Sequence, residues 1–174
     1  MLKCMSSKTK GNSKIGKENG MLKNITMNGI RMQEDSSLTI LDVARKHGID
    51  IPTLCFLKKD DCNFVHRPAS CRVCIVEVKG RRNLSPACAT YIEEGMEILT
   101  NSYKVRQERK NIVELLLSNH PNACLTCRKS GDCELQALSA KLGVSNNLEF
   151  AGPLSQENKE YRFGAILRNP SKCI

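Results

Sequence analysis

Apolar positions in this chain come in short runs whose spacing changes along its length, and those changes mark the elements. Residues 24–28 and 30–34 flank the pair Asn28-Gly29, which favours a type I′ turn, so a β-hairpin is expected there. Ile40, Val43, Ala44 and His47 then recur on one face of a helix that Ser37 or Thr39 can cap and Gly48 can stop in a left-handed conformation. RVCIVEVK at 72–79 is rich in β-branched residues and predicts a strand ended by Gly80, followed by a short segment to Cys88. From 102 to 119 the spacing becomes helical: Val105, Ile112, Val113, Leu116 and Leu117 form a stripe. Lys104, Arg106, Glu108, Arg109 and Lys110 fall between them and read as a solvated face. A shorter helix, ELQALSAKL, carries Leu135, Leu138 and Leu142 and stops at Gly143. Residues 145–174, rich in Asn, Ser, Pro and Gly, read as extended polypeptide lying on a partner or a following domain. Strands and helices in this order imply an α+β fold.

Charge changes the picture little. The chain of 174 residues has a net charge of +9, but residues 1–23 hold six Lys against one Glu, so +5 of it is a tail. That tail offers almost nothing to bury and is expected to be disordered, and no nucleic-acid partner is expected. It lacks an apolar export segment, and it lacks the Arg of a transit peptide, the first being Arg31. The repeated MLK at Met1 and Met21 hints at an alternative start. No run of eighteen apolar residues exists to span a membrane. Ten cysteines without an export signal point to reduced thiols in a cytoplasmic setting.

The thiols carry the chemistry. HPNACLTCRKSGDC brings His120, Cys124, Cys127 and Cys133 onto one short stretch, and soft ligands in such numbers select iron-sulfur clusters or zinc over hard cations. Gly131 lets the chain bend before Cys133. Upstream, Cys55, Cys71, Cys74 and Cys88 have a spacing of the general kind that holds a 2Fe-2S cluster, with a longer first gap than plant-type ferredoxins. Zinc in a structural interaction module is the rival. A zinc ribbon pairs two Cys-x2-Cys knuckles over a short insert, whereas 49 residues separate Cys74 from Cys124 and each knuckle has its own downstream cysteine. A thioredoxin-like dithiol would open a helix, but Cys74 starts a β-branched run. Cys4 and Cys62 read as plain thiols, with Cys62 competing with Cys55 for the first ligand position. His47 and His66 read as structural or surface residues.

The words around these residues, IPTLC, CRVCIVEV, SPACAT, HPNACLTC and GDCELQ in that order, closely resemble one shared amino-terminal region. It is the region common to the large peripheral subunit of respiratory complex I, iron-only hydrogenases, NAD-linked formate dehydrogenases and the small diaphorase subunit of NAD-reducing hydrogenases. The resemblance covers about residues 24–174. It implies a β-grasp 2Fe-2S ferredoxin domain over 24–100, a small helical one-His/three-Cys 4Fe-4S domain over 101–145, and a tail over 146–174. It further implies Cys55, Cys71, Cys74 and Cys88 on the 2Fe-2S cluster and His120, Cys124, Cys127 and Cys133 on the 4Fe-4S cluster. The segment between Cys55 and Cys71 is longer than that family's and contains Cys62. YRFGAILRNPSKCI resembles the lead-in to a bacterial ferredoxin motif whose first cysteine would be Cys173, which suggests a truncated longer subunit, or else a partner docking in place of the missing part.

There is no Gly-rich dinucleotide fingerprint, no P-loop and no His/Asp/Ser grouping, so the sequence predicts no substrate site of its own. The resemblance implies an iron-sulfur subunit relaying single electrons between a flavin and NAD(P)-binding subunit and a terminal oxidoreductase site of hydrogenase or formate dehydrogenase type, with electron bifurcation left open. In such a site the neutral His120 imidazole removes one unit of negative ligand charge and is expected to raise the 4Fe-4S potential.

Overall fold

The computed structural model describes residues 21–56, 68–121, 123–144, 150 and 160–172. Cys4, Cys62, His66 and Cys173 lie outside the described residues, as do most of the predicted tail and of the segment before Cys71.

β1 (Leu22–Met27) and β2 (Ile30–Asp35) form the expected hairpin, with Met27 opposite Ile30. Asn28 and Gly29 both take positive φ, 52° and 85°, as a type I′ turn requires. Thr39 caps α1 (Ile40–Lys46) through a capping box with Asp42, and Gly48 follows in the left-handed region at φ 67°. The chain then passes Cys55 and returns as β3 (Ile75–Val78), β4 (Ser85–Pro86) and β5 (Glu97–Leu99). The sheet runs β2-β1-β5-β3-β4, with β5 parallel to β1 and antiparallel to β3. α1 lays Ile40, Leu41, Val43 and Ala44, all at 0% exposure, on Ile25, Met27, Val76, Val78 and Ile98 of that sheet.

Ser102 accepts a hydrogen bond from the Val105 N–H and opens α2 (Tyr103–Ser118), which packs on β3 and on α3 (Glu134–Leu142). Val73, Val113, Leu135 and Leu138 form a second core, with Leu54, Cys71, Ile112, Leu116 and Cys133 packed at its edge. That core joins the sheet domain to the His120–Cys133 loop. It holds both thiol regions against one apolar contact.

Four expectations change. The strand expected over 72–79 is confined to Ile75–Val78, because Arg72 takes φ 61° and the preceding residues curl toward the thiols. β5 has no counterpart in the sequence reading. Residues 160–172, read as extended, include a small hairpin of β6 (Tyr161–Phe163) and β7 (Ile166–Arg168). His47, placed on the apolar face of α1, instead lies with its Nε2 2.6 Å from the buried Glu34 carboxylate, which also accepts from Lys46 Nζ at 2.7 Å.

Candidate metal centres

Cys55 follows α1, Cys71 and Cys74 bracket the turn into β3, and Cys88 follows β4, so three loops at one end of the sheet converge. Their thiols act on one another. The Cys55 and Cys71 thiols interact directly, and so do Cys74 and Cys88. Backbone N–H groups are aimed at them: Cys71 N donates to Cys55 Sγ at 3.5 Å and Ala69 N to Cys88 Sγ at 3.1 Å. Ala69 and Arg72 reach this geometry at φ 68° and 61°, a left-handed conformation that is strained for residues with a Cβ. Such strain costs about 1–3 kcal/mol per residue and collects at functional sites. Here it turns the loop's amides inward, where they stabilise negative charge on sulfur.

Burial grades the four thiols. Cys74 and Cys88 are almost fully enclosed, at 1% and 3% exposure, while Cys55 and Cys71 are half-buried. Burial pushes the Cys74 thiol up to about 11 and raises Cys71 as well. At Cys55 burial acts the same way but is outweighed by hydrogen bonds from Cys71 and Ser70, which hold it below the ordinary thiol value. A metal that takes the Cys74 sulfur must therefore displace a tightly held proton.

The second set lies on more open ground. His120 follows the Asn119 cap of α2, and its Nδ1 sits 3.1 Å from the Pro121 carbonyl. That carbonyl can only accept, so Nδ1 carries the proton and Nε2 keeps a lone pair for a ligand bond. Cys124 starts a single 3-10 turn, in which Cys127 N donates to the Cys124 carbonyl at 3.2 Å. Gly131, at φ 85°, makes the bend, and its N–H donates to Gln136 Oε1 at 3.1 Å. Cys133 then opens α3, its carbonyl accepting from Ala137 N at 3.0 Å. His120, Cys124, Cys127 and Cys133 line one small cavity. A neighbouring cavity of about 430 Å³ is bordered by Cys55 as well as by His120, Cys127 and Cys133.

The structure thus brings all eight predicted donors together as two neighbouring sets. Among the described residues no three His, Cys, Asp or Glu side chains close on a single metal point; the donors stand as two thiol pairs and as a ring around a cavity. Soft sulfur donors, inward amides and an imidazole with its Nδ1 satisfied fit a 2Fe-2S and a 4Fe-4S cluster.

One residue that the sequence reading put on a solvated face belongs to this picture. Arg109 is buried at 4% exposure and its Nη2 donates to the Ile75 carbonyl at 2.7 Å. Burial pulls its guanidinium down to about 10, opposed by negative charge on Cys74 and Asp50. A signal existed: Arg109 stands four residues from both Val105 and Val113, on the apolar stripe itself.

Residues 23–103 match the family described as 2Fe-2S iron-sulfur cluster binding domain. Residues 109–147 match the NADH-ubiquinone oxidoreductase-G iron-sulfur binding region. The chain is 45% identical over 150 residues to NADP-reducing hydrogenase subunit HndD of Solidesulfovibrio fructosivorans, covering 86% of this chain and 26% of that protein. It is 37% identical over 120 residues to the gamma subunit of NAD-reducing hydrogenase HoxS of Cupriavidus necator, covering 69% of this chain and 48% of that one. A crystal structure of NAD+-reducing [NiFe]-hydrogenase in the H2-reduced state superposes with a TM-score of 0.74 at 28% identity, over 87% of this chain and 62% of that one. The chain therefore spans about a quarter and about half of these two curated relatives. No helix among the described residues is long and apolar enough to cross a membrane.

Proposed function

Because this chain carries a 2Fe-2S cluster binding domain of its family over residues 23–103 and the oxidoreductase-G iron-sulfur binding region over 109–147, we propose that it is an electron-transfer subunit. It would pass single electrons between a flavin and NAD(P)-binding subunit and a terminal site of hydrogenase or formate dehydrogenase type, in the cytoplasm and without nucleic acid. Relatives named as subunits of NAD- and NADP-reducing hydrogenases support that choice of partners. Residues 24–100 form the first cluster-bearing unit and 101–145 the second.

Cys55, Cys71, Cys74 and Cys88 would hold the 2Fe-2S cluster. His120 Nε2, Cys124, Cys127 and Cys133 would hold the 4Fe-4S cluster. When bound, the clusters supply the one-electron chemistry. The protein's residues supply everything else. The Ala69 and Cys71 amides stabilise charge on the Cys88 and Cys55 sulfurs. The Pro121 carbonyl fixes the His120 tautomer. The core around Val73, Val113, Leu135 and Leu138 fixes the distance between the two sets.

The observation that carries the reading is the cavity bordered at once by Cys55 of the first set and by His120, Cys127 and Cys133 of the second. Two centres sharing one wall form a relay. An anaerobic redox titration followed by electron paramagnetic resonance tests it. Two reduced signals are expected, and each should broaden the other when both centres are reduced. A single signal, or two with no mutual broadening, would contradict a relay.

A further inference from the structure

Arg and Lys are almost never fully buried unless paired with an opposite charge. Arg109 is buried, yet among the described residues it makes no ion pair with a carboxylate, and its Nε has no hydrogen-bond partner. Asp50 acts on it only through space, with its own side chain 71% exposed and engaged by Lys141. Among the described residues the guanidinium's hydrogen bond goes to the Ile75 carbonyl, one residue beyond Cys74. A guanidinium stays charged at any physiological pH, so the cation cannot escape its surroundings by losing its proton. Through space it is acted on by Cys74 of the four-thiol site, ahead of Asp50.

We propose that Arg109 is a potential-setting residue: its buried positive charge is the counterion of the Cys55, Cys71, Cys74 and Cys88 site and makes the 2Fe-2S cluster held there easier to reduce. The inference rests on that ligand assignment. Reduction adds one electron, taken in the test from dithionite through a mediator dye, and no atom moves. The site gains one unit of negative charge. Arg109 stabilises that charge across an apolar core, where screening is weak. The residue acts through the field it imposes on the Cys74 side of the site.

The experiment is a redox titration of the full chain, read by the reduced 2Fe-2S signal, for wild type, R109K, R109Q and R109M. R109K keeps the charge without the fork, R109Q keeps a donor for the Ile75 carbonyl without the charge, and R109M removes both. R109Q and R109M should each lower the one-electron reduction equilibrium at least tenfold, a midpoint about 59 mV more negative. R109K should lose less than half of that. The 4Fe-4S midpoint should move less than the 2Fe-2S midpoint. An unmoved midpoint in R109Q and R109M overturns the proposal, and so does a shift in R109K as large as in R109M. Failure of both neutral variants to accumulate as folded protein would assign Arg109 a purely structural role and overturn it as well. A wild type without a 2Fe-2S signal would instead sink the ligand assignment, so the two failures are distinguishable.

Discussion

The two donor sets have similar chemistry in opposite surroundings. Cys74 and Cys88 belong to the main core, enclosed by α1 and the sheet, and their loop is curled by two left-handed residues and pinned by amide-to-sulfur hydrogen bonds. Cys124 is exposed, Leu125 beside it is 100% exposed, and the loop from Arg128 to Asp132 is exposed throughout. The first site is built by the fold. The second is a turn pinned at its ends by α2 and α3, so a ligand must supply more of its order. A relay profits from this contrast, because a shielded centre keeps a fixed environment while an open one can face a partner.

The largest expected effect sets C74A against C124A. C74A should abolish the 2Fe-2S signal and lower the thermal midpoint by on the order of 10 °C or more, since it removes a ligand from the main core. C124A should abolish the 4Fe-4S signal and leave the 2Fe-2S signal and the main unfolding transition nearly in place. Equal damage from both, seen by calorimetry and spin quantification, would erase the contrast.

A smaller effect is expected where the two regions join. Leu135 is 2% exposed in the second core, and L135A should cost about 2–5 kcal/mol. Its signature is loss of mutual broadening between the two signals before either is lost. Denaturant unfolding together with the paramagnetic spectrum checks both parts.

The smallest effect concerns the sheet domain alone. Lys46 and His47 hold the buried Glu34 carboxylate below its ordinary value of 4.5. A depressed folded value means that this stabilisation is fully present above pH 4.5 and is lost as pH falls through the lower folded value. The thermal midpoint of wild type should therefore drop below pH 4.5 more steeply than that of E34Q. Parallel profiles would remove Glu34 from the account.

What the sequence made legible was local. Asn28-Gly29, Gly48 and Gly143 each act on residues within one turn and stand where the pattern puts them, and of the two cap candidates Ser37 and Thr39 the helix uses Thr39. The grouping of the eight candidate donors into two sets was legible because ligand spacing is itself a local signal. β5 was not: three residues carry no period, and Glu97–Leu99 becomes a strand only because β1 and β3 offer it two distant edges. The start of β3 was misplaced because Val73 looks like a strand residue, while Arg72 is turned by the demands of the thiol loop. Arg109 reads as solvated because its charge outweighs its position on the stripe; the four-thiol site that would balance it is spread from 21 to 54 residues away in sequence.

The central claim is that these eight side chains hold one 2Fe-2S and one 4Fe-4S cluster. Iron and acid-labile sulfide, counted on the full chain purified without oxygen, test it most directly. A brown protein with about six iron and about six sulfide per chain is the predicted result. A colourless folded protein carrying zinc and no labile sulfide would contradict it.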